Sequence, residues 1–159
     1  MMLDSQRHVP LKPLRTDQSA VPSRKILIVD DTRAAGYVLG RLLEKMGQQV
    51  YSATNATEAL ECVRRECPDV VISDIGMPDI DGYELARRLR KEPHSERLIL
   101  VALTGYGQET DKQRAKAAGF NYHLVKPVGL DALQALLASL PDSPGSTSWK
   151  QKQHPRAPR

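Results

Sequence analysis

Between Lys25 and Leu140 two hydrophobic patterns alternate along the chain. Short, nearly unbroken apolar runs occur at Lys25-Ile-Leu-Ile-Val29, Asp69-Val-Val-Ile-Ser73, Leu98-Ile-Leu-Val-Ala-Leu103 and Tyr122-His-Leu-Val125. Their length and β-branched content read as strands of a parallel sheet covered on both faces. Gln49 to Ala53 is a short second strand, and 98–103, the most apolar run, should be central. Between the runs, apolar residues recur three and four apart, the spacing of a helix face. The first helix is expected from about Arg33 to Met46, with Ala35, Val38, Leu39, Leu42, Leu43 and Met46 inward, stopping at Gly47. The second is capped by Asn55 or Thr57, turns Ala56, Ala59, Leu60, Val63 and Cys67 inward and ends at Pro68. The third starts at Tyr83 and packs Leu85, Ala86 and Leu89. The fourth, about Gln108 to Ala118, marks its inner face with alanines alone and should be weakly packed and mobile. The last, Leu130 to Leu140, carries a stripe of Leu130, Leu133, Leu136, Leu137 and Leu140. Strands alternating with helices make an α/β fold, one doubly wound parallel sheet of five strands with five helices.

The polar residues that end the strands carry the chemistry. The first run finishes in Asp30-Asp31, the third in Asp74, the fourth in Thr104 and the fifth in Lys126. Ligand sites of open α/β sheets lie beyond the carboxyl ends of the strands. Taken singly, Asp30 could cap a helix, Thr104 could end a strand, and Lys126 could be a solvated charge. As a set in order at one sheet edge they read as a site. Clustered carboxylates repel one another, and all-oxygen ligation favours Mg²⁺ or Mn²⁺ as the remedy. Gly105-Tyr106-Gly107 lacks the third glycine and the first-strand position of a dinucleotide fingerprint. His8, His94 and His154 are scattered, and Trp149 stands alone near the end.

Charge changes the picture only at the ends. The formal net charge of the 159 residues is +4, yet residues 25–140 hold fifteen Lys/Arg against sixteen Asp/Glu. The surplus lies in 1–24 and 141–159, which together hold eight basic and three acidic residues. Residues 1–24, with Pro10, Pro13 and Pro22, read as a flexible extension, and 141–159 as a disordered basic tail. Nucleic-acid contact through these basic segments is a competing function and would be steeply salt-dependent; solvated ends are the default. No apolar stretch is long enough to span a bilayer, and the N-terminus has no secretory h-region. Cys62 and Cys67 fall within one helix at a spacing poor for pairing, as in a reduced, cytoplasmic protein.

The segments Val29-Asp30-Asp31, Asp74 with Met77-Pro78 and Asp81-Gly82, Leu103-Thr104-Gly105 and Val125-Lys126-Pro127 together resemble the receiver domain of bacterial two-component response regulators. The similarity covers 25–140 and implies the flavodoxin-like strand order 2-1-3-4-5, which brings Asp30, Asp31 and Asp74 together. It implies that Asp74 is the phosphoacceptor of a phosphorelay. It also implies that Asp31 and Asp74 ligate Mg²⁺ directly, Asp30 through water, and Gly76 through its backbone carbonyl. Lys126 would offset phosphoryl charge, and Thr104 would donate to the phosphoryl group. The switch partner three residues before the lysine is usually aromatic in the family; here it is His123, beside Tyr122. A cis Lys126–Pro127 bond is implied as well. Gly76 and Gly105 offer no side chain to shield the phosphoryl group, so the pocket should be open.

Partners follow from the same resemblance: a sensor histidine kinase or a histidine phosphotransfer protein as donor, and an output protein on the face of helix four, strand five and helix five. The expected state is a monomer or weak dimer, a stand-alone receiver or one of hybrid-kinase type, with no effector domain in the short polar tail. An enzyme acting on a separate substrate would need an acid–base residue and a substrate pocket, and neither is evident. The alternative within the fold is a non-phosphorylated interaction module.

Overall fold

Five strands, β1 (Lys25–Val29), β2 (Gln49–Ala53), β3 (Val70–Asp74), β4 (Ile99–Thr104) and β5 (Tyr122–Val125), pair in parallel in the order β2-β1-β3-β4-β5. They alternate with α1 (Arg33–Lys45), α2 (Ala56–Glu66), α3 (Gly82–Leu89), α4 (Glu109–Ala118) and α5 (Leu130–Ser139), with a 3₁₀ turn at Ser95–Arg97. This computed structural model describes residues 22–105 and 109–141. Most of the expected N-terminal extension, the tail from residue 142 with Trp149 and His154, His8, and the start of the fourth helix at Gln108 lie outside the described residues.

Alternation along each strand splits the core into two layers. Ile26, Ile28, Val70 and Ile72 meet Leu39 and Leu43 of α1 and Leu133, Leu136 and Leu137 of α5. Leu27, Val29, Val71 and Leu100 meet Ala59 and Cys62 of α2, Leu85 and Leu89 of α3, and Ala115 and Ala118 of α4. Every residue of β3 and of β4 is buried, which explains their unbroken apolar runs. The central strand is β3; β4 lies one in from the β5 edge.

The helix faces depart from the expected stripes in three places. In α1 the buried residues are Gly36, Leu39, Gly40 and Leu43, whereas Ala35 and Val38 face solvent. The helix seats on its glycines: a Cβ on Gly40 would stand 3.3 Å from Val50 Cγ1 and 3.6 Å from Ile28 Cδ1. In α2 the cysteine that packs inward is Cys62; Cys67 is exposed, because it is the C-cap in left-handed conformation (φ 51°). In α5, Leu130 is 47% exposed at the first position, while Leu140 follows the helix in extended backbone and is buried. Asn55 is the cap of α2, accepting from Glu58 N at 2.9 Å, and Glu58 reaches back to Thr54 N at 2.8 Å. In α4 the buried residues are Ala115 and Ala118, in keeping with its alanine-only inner face. Among the described residues no helix is long and apolar enough to cross a membrane.

Candidate phosphoacceptor site

Register delivers the acidic residues to one place. Val29 pairs with Ser73, so Asp30 and Asp74 emerge side by side from β1 and β3. Ligand oxygens of Asp30, Asp31 and Asp74 all lie within 4.8 Å of one another. Asp30 and Asp74 are buried and Asp31 is exposed, so the cluster opens to solvent on one side. Asp30 Oδ1 accepts from Thr32 N at 2.9 Å, which ties this carboxylate to the entry of α1. Its Oδ2 lies 3.7 Å from Lys126 Nζ. Asp74 Oδ1 is 3.1 Å from the same ammonium and accepts from Gly76 N at 3.3 Å.

Lys126 arrives from the other direction, across β4 and β5. Its backbone N donates to Thr104 O at 2.8 Å, and the Lys126–Pro127 peptide is cis. Thr104 is buried, and its hydroxyl turns toward Leu124 O at a long 3.5 Å, so it makes only a marginal bond here. His123 pairs with Ala102 on β4 and is half-buried. Burial holds its imidazole below the usual histidine range; Lys112 acts in the same direction and Glu109 opposes it.

One ammonium against three carboxylates leaves the cluster with excess negative charge. Its donor atoms are hard carboxylate oxygens within reach of a common centre, a set that suits Mg²⁺ or Mn²⁺. A Cβ added to Gly76 or to Gly105 would meet nothing within 4 Å among the described residues, so neither position is crowded.

Of the residues picked out at the strand ends, Asp30, Asp31, Asp74 and Lys126 come together, while Thr104 meets this group through the backbone of Lys126. What strand-end reasoning leaves unassigned is the support behind Asp74. Asp81 caps α3 by accepting from Glu84 N at 2.9 Å, and Gly82 N donates to Ile75 O at 2.9 Å. A Cβ on Gly82 would overlap the Asp74 carbonyl oxygen and stand 2.7 Å from Ile75 Cα. The start of α3 thus lies directly against the backbone that carries Asp74. The signal was the Asp-Gly pair at a helix start.

The sequence matches the response regulator receiver domain family over residues 26–138. The chain belongs to this family. A receiver of this family is a module of two-component, phosphorelay signalling. The chain is 39% identical over 109 residues to protein PilH of Pseudomonas aeruginosa, covering 69% of this chain and 90% of that protein. It is 36% identical over 155 residues to the virulence sensor protein BvgS of Bordetella pertussis, covering 87% of this chain but only 12% of that sensor's length. The fold resembles the receiver domain of sensor histidine kinase PA1611 from Pseudomonas aeruginosa, solved with a magnesium ion coordinated in the active-site cleft. That likeness has a TM-score of 0.66 at 28% identity and covers 73% of this chain and 95% of that one. Receivers thus resemble this chain both as small proteins and as parts of large sensors.

Proposed function

We propose that this receiver accepts a phosphoryl group on Asp74 from a sensor histidine kinase or a histidine phosphotransfer protein. The observation that carries the reading is Lys126 Nζ held 3.1 Å from Asp74 Oδ1, within an acidic cluster open to solvent. A carboxylate is ionised at neutral pH and needs no general base to act as nucleophile. An Asp74 oxygen attacks phosphorus, the bond from phosphorus to the donor nitrogen breaks, and an aspartyl phosphate forms while the donor imidazole leaves. Lys126 pairs with the charge spread over the phosphoryl oxygens. Asp31, Asp74 and the Gly76 carbonyl would hold Mg²⁺ directly and Asp30 through water, and the ion would supply positive charge to offset that of the phosphoryl oxygens. The magnesium in the PA1611 receiver supports that assignment.

Thr104 then has a better acceptor than Leu124 O, and its hydroxyl swings toward the phosphoryl oxygen. His123 on the neighbouring strand takes up the vacated space, and the change reaches an output protein on the face of α4, β5 and α5. The chemistry is confined to the chain's own aspartate, whose acyl phosphate is later hydrolysed.

Intact-mass measurement with Mg²⁺ and acetyl phosphate tests the reading. The expected result is a phosphoryl adduct that requires the metal and is absent from Asp74→Asn. No adduct on wild type, or an equal adduct on Asp74→Asn, would overturn it.

A further inference from the structure

The side of the molecule built by α3 and α4 contains a contact that the site chemistry does not use. The Arg114 guanidinium carbon sits 4.2 Å from the centroid of the Tyr83 ring. Tyr83, the second residue of α3, is buried, whereas Arg114 is an exposed residue in the middle of α4. Asp111 and Asp81 oppose the effect of Arg114 on the Tyr83 hydroxyl.

α4 has little else to grip with on its inner side. Its buried residues are two alanines, and Phe120 just beyond it is buried. Its far end is held by Arg90, whose Nε and Nη2 donate to Gly119 O at 3.0 and 2.8 Å and whose Nη2 reaches Asn121 Oδ1 at 2.8 Å. The near end begins five residues after Thr104 along the chain. α4 is therefore held at its C-terminus, packs inward through two alanines, and begins shortly after the residue proposed to respond to the phosphoryl group.

We propose that Arg114 on Tyr83 is an autoinhibitory latch between α4 and α3, which holds the helix in the unphosphorylated arrangement. The inference rests on Asp74 being the phosphoacceptor. Here Thr104 is turned toward Leu124 O and the latch is closed. Drawing Thr104 toward Asp74 displaces the first turns of α4 about the end pinned by Arg90, and the guanidinium leaves the ring. A contact made in only one of two arrangements biases the equilibrium by its own free energy. By reciprocity, removing it must favour the phosphoryl group.

Beryllofluoride with Mg²⁺ serves as the phosphoryl probe, titrated against wild type, Arg114→Gln and Arg114→Lys, with hydrogen exchange followed across 109–118. Arg114 is exposed, so these variants leave the core intact. The expected result is beryllofluoride affinity about threefold higher in Arg114→Gln, the order of a partly exposed cation–π contact, and near wild type in Arg114→Lys. Exchange across α4 should accelerate in Arg114→Gln without beryllofluoride and match wild type with it. Equal affinity in wild type and Arg114→Gln would overturn the latch and leave the acceptor intact. No binding by wild type itself would overturn the acceptor and the latch together, a failure recognised because it appears without any substitution.

Discussion

At the scale of single residues, the placement of Asp74 is governed by what stands behind it. Gly82 is required by close approach rather than by backbone freedom, since a Cβ there would overlap the Asp74 carbonyl oxygen. Gly82→Ala must push α3 away from the β3 end or shift Asp74 itself. Overpacking of this kind costs about 1–3 kcal/mol. The expected outcome is a lower denaturant midpoint and weaker Mg²⁺ binding together, seen by chemical unfolding and metal titration; unaltered metal affinity would mean that the backbone at Asp74 tolerates the shift. His123 differs in kind, because it titrates. Burial depresses its folded pKa, so near the unfolded value of about 6.5 the unfolded chain binds the proton more readily. Stability is then fully present above that value and falls as pH drops toward the lower folded pKa. His123→Tyr should flatten the decline of Tm between about pH 7 and pH 5.5; an unchanged slope would place the pH dependence elsewhere.

At the scale of elements, the strands were readable because burial on both faces forces unbroken apolar runs, as in Val70–Asp74 and Ile99–Thr104. The strand-end residues were readable for the complementary reason that local backbone bonds such as Thr32 N to Asp30 account for a single carboxylate, not for three together with a lysine. Helix orientation was less legible. α1 seats on Gly36 and Gly40, residues with no hydrophobic weight, so a stripe drawn through Ala35 and Val38 points the wrong way. Arg90 left no pattern at all, because its partners are mainly backbone carbonyls, which carry no side-chain signature. Its guanidinium donates to Ser95 O at 2.6 Å and Leu98 O at 2.8 Å as well as to Gly119 and Asn121. These acceptors are neutral, and burial lowers the pKa of the group. Arg90→Met would leave several of these carbonyls unpaired and should cost about 3 kcal/mol. Hydrogen exchange should rise around 95–98 and 119–121 before it rises in β1 or β3; uniform loss of protection would argue against a local clamp.

At the scale of the whole molecule, the acidic cluster opposes the stability of the fold that carries it. Asp30 and Asp74 are buried beside each other, Asp31 is added at the rim, and among the described residues Lys126 supplies the positive charge within 4 Å. The sheet end concentrates charge that the unfolded chain would disperse, and a ligand that binds only the folded state offsets this by mass action. At a free Mg²⁺ concentration a hundredfold above its Kd, the gain is about 2.7 kcal/mol. Thermal unfolding should therefore shift upward with Mg²⁺, and chelation should return it to the metal-free value. Asp31→Asn removes one repelling charge at an exposed position without touching the core. Its metal-free Tm should equal or exceed wild type, while its response to Mg²⁺ should be largely lost. A metal-free Tm below wild type would mean that Asp31 contributes to folding, and a full Mg²⁺ response in the variant would remove it from the ligand set. Opposite movement of metal-free stability and metal response identifies residues kept for chemistry rather than for packing.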